Sequence, residues 1–79
     1  MSTETIRKIL DEQGRLTTPT EKLQDNSDLY NAGLTSLATV SLMLALEEAF
    51  DIEFPDSMLS RRTFGSIESI EDAVNELKS

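Results

Sequence analysis

The 79 residues are read as one domain, 1–79, whose core is small and whose stability lies near the low end of the usual range. There is no Cys and no His, which excludes a disulfide framework, a Cys/His zinc site and any His-activated or Cys nucleophile, so a helical bundle is the expected solution and self-contained catalysis is not. The net charge is −8, and Leu23 to Ser60 holds seven acids and not one Lys or Arg, a field that repels nucleic acid and anionic membrane and favours basic protein partners.

The start, Met1-Ser2-Thr3-Glu4-Thr5, has neither a basic region nor an apolar run, so it is not read as a secretory signal. No stretch is long and apolar enough to span a bilayer, and a cytoplasmic location is expected. Ser2 or Thr3 can cap a first helix over about residues 3–13, with Ile6, Ile9 and Leu10 as its apolar stripe and Gly14 as its stop.

Residues 15–35 have no clear period and contain the turn formers Pro19, Asp25-Asn26-Ser27-Asp28 and Gly33. Leu16, Leu23, Leu29, Tyr30 and Leu34 are expected to pin this long loop to the bundle. The oxygen-rich stretch from Asp25 fails as a calcium loop. Tyr30 stands where the turn needs Gly, and Ser36 where a bidentate Glu is needed.

A second helix is expected from about Ser36 to Phe50. Its apolar set is wide, including Leu37, Val40, Leu42, Met43, Leu44 and Leu46, which predicts neighbours on more than one side. Glu47, Glu48 and Asp51 lie at its negative end, where they cost stability, so partner binding is the reason expected for them. Glu47 and Glu48 point about 100° apart and cannot pair across a substrate. Phe54-Pro55-Asp56 breaks the pattern, and a short third helix is expected within 56–62, ending at Arg61-Arg62. Gly65-Ser66 resets the chain, with Ser66 capping a last helix over about 67–77 whose stripe is Ile67, Ile70, Val74 and Leu77.

The stretch that organises the chain is Asp28-Leu29-Tyr30-Asn31-Ala32-Gly33-Leu34-Thr35-Ser36-Leu37. A polar loop ends at Gly33, Leu34 is an apolar plug, and Thr35 and Ser36 sit where a helix begins. A serine there is most often a cap. The helix N-terminus also offers unpaired N–H groups and the positive end of a dipole, a favourable field for a phosphodiester on Ser36.

Gly33-Leu34-Thr35-Ser36-Leu37, then Val40 through Leu46-Glu47-Glu48-Ala49-Phe50, then Phe54-Pro55-Asp56, resembles the acyl carrier protein family. The resemblance runs from about Asp28 to Leu77. It implies a monomeric all-α four-helix bundle with a short third helix and a long first loop. It implies a non-catalytic carrier whose Ser36 bears phosphopantetheine, placed there from coenzyme A by a phosphopantetheinyl transferase, with cargo held as a thioester for downstream transferases. Partner contacts are assigned to Thr35, Leu37, Glu47, Glu48, Asp51, Arg61 and Arg62. Arg61 and Arg62 read first as a solvated pair offsetting nearby acids, and otherwise as a contact with the arm's phosphate or with a loading enzyme. The family usually has Asp where Thr35 stands, and its fatty-acid members have acids in the first half of the helix after Ser36. Here that half is uncharged. The Gly-Leu-Thr-Ser pattern with Arg61-Arg62 is similar to the small aminoacyl carrier proteins, loaded by stand-alone synthetase-like ligases. A fatty-acid or polyketide carrier, or an unmodified acidic helical adaptor, is the alternative. The carrier pocket is expected to be walled by Leu46, Phe50, Phe54, Met58 and Leu59, and the cargo to be short.

Overall fold

The computed structural model describes residues 2–78, the side chain of Ser2 excepted. Three α-helices carry the fold: α1 (Ser2–Ile9), α2 (Ser36–Phe50) and α3 (Ile67–Lys78). The described residues contain no strand. The cap expected of Ser2 lies outside the described side chains, and Thr3 is already inside α1.

From Ile9 the chain does not stop but loosens into a π-helical turn, Leu10–Gly14. Gly14 is therefore the end of the helical run, as its sequence position suggests. The left-handed residue that closes it, however, is Arg15 (φ 51°). The π turn packs against α2, and α1 packs against α3. Ile6, Leu10, Leu42, Leu46, Ile67, Ile70 and Val74 meet at the centre and are buried. Phe54 and Phe64 close one side, edge to face at 5.4 Å between ring centres.

The long loop between α1 and α2 is tied down. Leu29 and Leu34 are buried, and Leu16, Leu23 and Tyr30 pack against the core. Arg7 donates to the Thr20 carbonyl at 2.6 Å and pairs with Asp25 at 2.8 Å, and the buried Thr20 hydroxyl donates to Asp11 at 2.8 Å. A 3-10 turn, Thr20–Lys22, lies within this loop.

Two sequence expectations change. The wide apolar set of α2 is not covered on several sides. Ala38, Leu42 and Leu46 are buried, whereas Leu37, Val40 and Leu44 are 80%, 54% and 56% exposed. The short third helix expected over 56–62 is a single 3-10 turn, Asp56–Met58, followed by turns through Phe64. Pro55 starts that turn, and its three residues give it too few backbone bonds to propagate. The last helix begins as expected, with the Ser66 hydroxyl accepting from the Ser69 N–H at 3.1 Å. No helix among the described residues is long and apolar enough to cross a membrane.

Candidate functional site

The turn before α2 is built around Leu29 and Gly33. The Asp28 carboxylate accepts from the Tyr30 N–H at 2.9 Å, an Asx turn, and the Leu34 N–H returns to the Leu29 carbonyl at 3.0 Å. Gly33 has φ +112°, and a Cβ there would lie 2.7 Å from the Thr17 backbone nitrogen. Thr17 is held at that spot because its N–H and hydroxyl both donate to the Ala32 carbonyl, at 2.8 and 2.9 Å. Only glycine fits this position, so the sequence Gly33-Leu34 sets where α2 begins.

The cap is Thr35. Its backbone is extended and its Oγ1 accepts from the Ala38 N–H at 3.1 Å. Ser36 is therefore the first helical residue and not the cap, which corrects the more ordinary reading of a serine at a helix start. Its side chain is exposed, and among the described residues its hydroxyl has no hydrogen-bond partner. The first N–H groups of α2 lack intrahelical acceptors and carry the positive end of the dipole.

Beside Ser36 lies an open groove of about 290 Å³. Ser36, Thr39, Val40 and Met43 form one wall, at i, i+3, i+4 and i+7 along α2. Tyr30 from the preceding turn and Leu59, Ser60, Arg61 and Phe64 from the segment after the 3-10 turn form the rest. The walls expected for a carrier pocket are mostly elsewhere. Of that set, Leu59 alone lines the groove, while Leu46 and Phe54 are buried in the core and Phe50 and Met58 pack against it. The expectation assumed a regular third helix facing α2. Sequence reasoning also missed Thr39, Met43 and Phe64. The spacing of the first two from Ser36 was a usable signal, whereas nothing local marks Phe64.

Two of the acids at the far end of α2, Glu47 and Asp51, have local duties. Glu47 Oε2 accepts from the Phe54 N–H at 2.9 Å, and its backbone carbonyl accepts from the N–H groups of Asp51 and Ile52. Asp51 is the left-handed C-cap (φ 54°), a conformation that Asp tolerates better than most residues. Glu48 is exposed on the side of Leu37 and Leu44, and no such bond engages it. Arg61 stacks on the Tyr30 ring, 4.1 Å from its centre, while Arg62 lines hollows that do not include Ser36.

A free primary hydroxyl, a helix N-terminus and an adjoining apolar groove form a donor set that fits a serine-linked phosphodiester with an arm beyond it. Among the described residues, no group of His, Cys, Asp or Glu is arranged to hold a metal ion. The family model described as a phosphopantetheine attachment site matches residues 4–74. An aminoacyl carrier protein of Agrobacterium fabrum is 59% identical over 70 residues, which cover 89% of this chain and 84% of that one. Among solved structures, the fold matches a chain of an engineered Bradyrhizobium japonicum glycine:[carrier protein] ligase complexed with carrier protein from Agrobacterium tumefaciens and ATP. There the TM-score is 0.92 at 54% identity, covering 96% of this chain and 99% of that one. It also matches a chain of the Bradyrhizobium japonicum ligase complexed with glycylated carrier protein. That match has a TM-score of 0.69 at 32% identity, covering 91% and 92% of the two chains.

Proposed function

The chain belongs to the phosphopantetheine-attachment family of carrier proteins, and from that premise we propose that Ser36 is its attachment residue and an amino acid its cargo. The protein is a carrier with covalently attached phosphopantetheine and is not itself catalytic. The group supplies a terminal thiol that holds cargo as a thioester. Everything else in the site is the work of the chain. Gly33 and Leu34 fix the start of α2, Thr35 takes the capping duty, and Ser36 is left free at the surface. That division of labour between Thr35 and Ser36 is the observation that carries the proposal.

In this reading 1–79 is one cytoplasmic, monomeric carrier domain. The turn Asp56–Met58 and the turns after it stand in the place of the short third helix of a four-helix bundle. Thr35, Leu37, Glu48 and Arg62 face partners, with Glu47 and Asp51 shaping the same surface. An amino acid is favoured as cargo because the relatives named above are aminoacyl or glycylated carriers. The interior agrees. Leu46 and Phe54, the sequence-expected walls of an acyl pocket, are packed into the core and do not line the groove beside Ser36. The partners are a phosphopantetheinyl transferase, a loading ligase and downstream transferases.

The test is intact mass in two stages. The chain is first treated with coenzyme A and a transferase, then with glycine, ATP and a glycine:[carrier protein] ligase. Two successive gains are expected, the second reversed by neutral hydroxylamine. A first gain without a second, across a panel of amino acids and ligases, would remove the aminoacyl cargo. No first gain would remove the attachment.

A further inference from the structure

We propose that Arg61 is the residue of this chain that grips the phosphodiester on Ser36, a step that rests on the reading of Ser36 given above. Arg61 and Ser36 line the same groove, from opposite segments of the chain. The guanidinium lies over the Tyr30 ring at 4.1 Å. A contact made through the central carbon of the guanidinium takes up none of its N–H groups, and that fork is what meets two phosphate oxygens at once. Among the described residues Arg61 has neither a carboxylate partner nor a side-chain hydrogen bond, unlike Arg7 with its pair to Asp25. Asp28 lines the hollow on the far side of Arg61, but its Oδ1 is taken by the N–H groups of Tyr30 and Asn31.

The segment that carries Arg61 is fixed to the turn that carries Tyr30. The Leu29 N–H donates to the Gly65 carbonyl at 2.8 Å, and a Cβ at Gly65 would lie 2.9 Å from the Arg61 carbonyl. The Ser60 hydroxyl and carbonyl accept from the N–H groups of Thr63 and Phe64. The backbone that carries Arg61 is thus tied to the Tyr30 turn, and the Tyr30 ring is the contact that seats the guanidinium. In a chain of net charge −8, a local cation offsets the repulsion that a further anion would meet. Arg62 serves as the internal control, since its hollows exclude Ser36.

The experiment compares apo and holo protein for the wild type, Arg61→Gln, Arg61→Lys, Arg62→Gln, Tyr30→Phe and Tyr30→Leu, with attachment verified by intact mass. Side-chain proton–nitrogen spectra should show the Arg61 Nε–H shifting on attachment and exchanging more slowly with water. Phosphorus relaxation in the holo protein should be fastest in the wild type, Arg62→Gln and Tyr30→Phe. It should slow in Tyr30→Leu and Arg61→Lys, and most in Arg61→Gln. A gain in mass with an unmoved Arg61 signal, or with phosphorus relaxation in Arg61→Gln equal to the wild type, overturns this proposal alone. No gain in mass overturns the Ser36 reading and this proposal with it.

Discussion

At the start of α2, Thr35 closes the helix and leaves Ser36 spare. At its end, Glu47, Asp51 and Lys78 are all drawn into the chain's own closure. Glu47 reaches forward to the Phe54 N–H, Asp51 supplies the left-handed turn, and Lys78 Nζ donates to the Phe50 carbonyl at 3.2 Å. The charged end looks like the place for recognition, yet the Glu47 carboxylate and the Lys78 ammonium there are engaged by the chain itself. The uncharged end looks like plain helix, and there the fold leaves the exposed Ser36 hydroxyl unused at the first helical position. A polar group is informative at a site when the fold leaves it unused.

This contrast can be broken by substitution. The largest effect is expected at Gly33→Ala, which forces a left-handed backbone costing about 1–3 kcal/mol, with the clash against the Thr17 nitrogen added. Urea unfolding should show it, and an unchanged midpoint would mean the turn before α2 is not held as described. Next is Glu47→Ala, which leaves the N–H of the buried Phe54 without its acceptor and should cost about 1–3 kcal/mol. Glu48→Ala on the same turn should stay within about 0.5 kcal/mol of the parent. Equal effects at the two would erase the distinction between structural and spare acids. Thr35→Ala should then cost about 1 kcal/mol through loss of the cap while leaving Ser36 open to modification. The smallest change in stability is expected for Glu48→Lys, whose effect should appear instead as slower association with a loading ligase at low salt. Rates unchanged across a salt titration would make Glu48 mere solvated surface. Glu47→Lys would not serve for this comparison, because the Glu47 carboxylate also holds the chain after α2.

Much of this was legible in the residues. The start of α2 follows from Thr35-Ser36 meeting a long run without Gly or Pro, and that of α3 from Ser66 meeting the apolar period Ile67, Ile70, Val74 and Leu77. The loop anchors Leu29 and Leu34 read as apolar residues stranded among turn formers. The inward face of α2 was not legible, because apolar residues surround the helix and no period separates Leu42 from Leu44. The π turn at Leu10–Gly14 was hidden as well, since it is a shift in backbone bonding that leaves the side-chain pattern intact. The groove was misplaced for a related reason. Its walls Tyr30, Arg61 and Phe64 come from turns, and only the tertiary fold brings turns together.

The most direct test of the central claim is Ser36→Ala, followed by intact mass after coenzyme A and transferase treatment and by urea unfolding of the same sample. Because Thr35 and not Ser36 caps α2, the variant should gain no mass and keep its stability within about 0.5 kcal/mol of the parent. A Ser36→Ala protein that still takes up phosphopantetheine, or that loses as much stability as Thr35→Ala, would contradict the account.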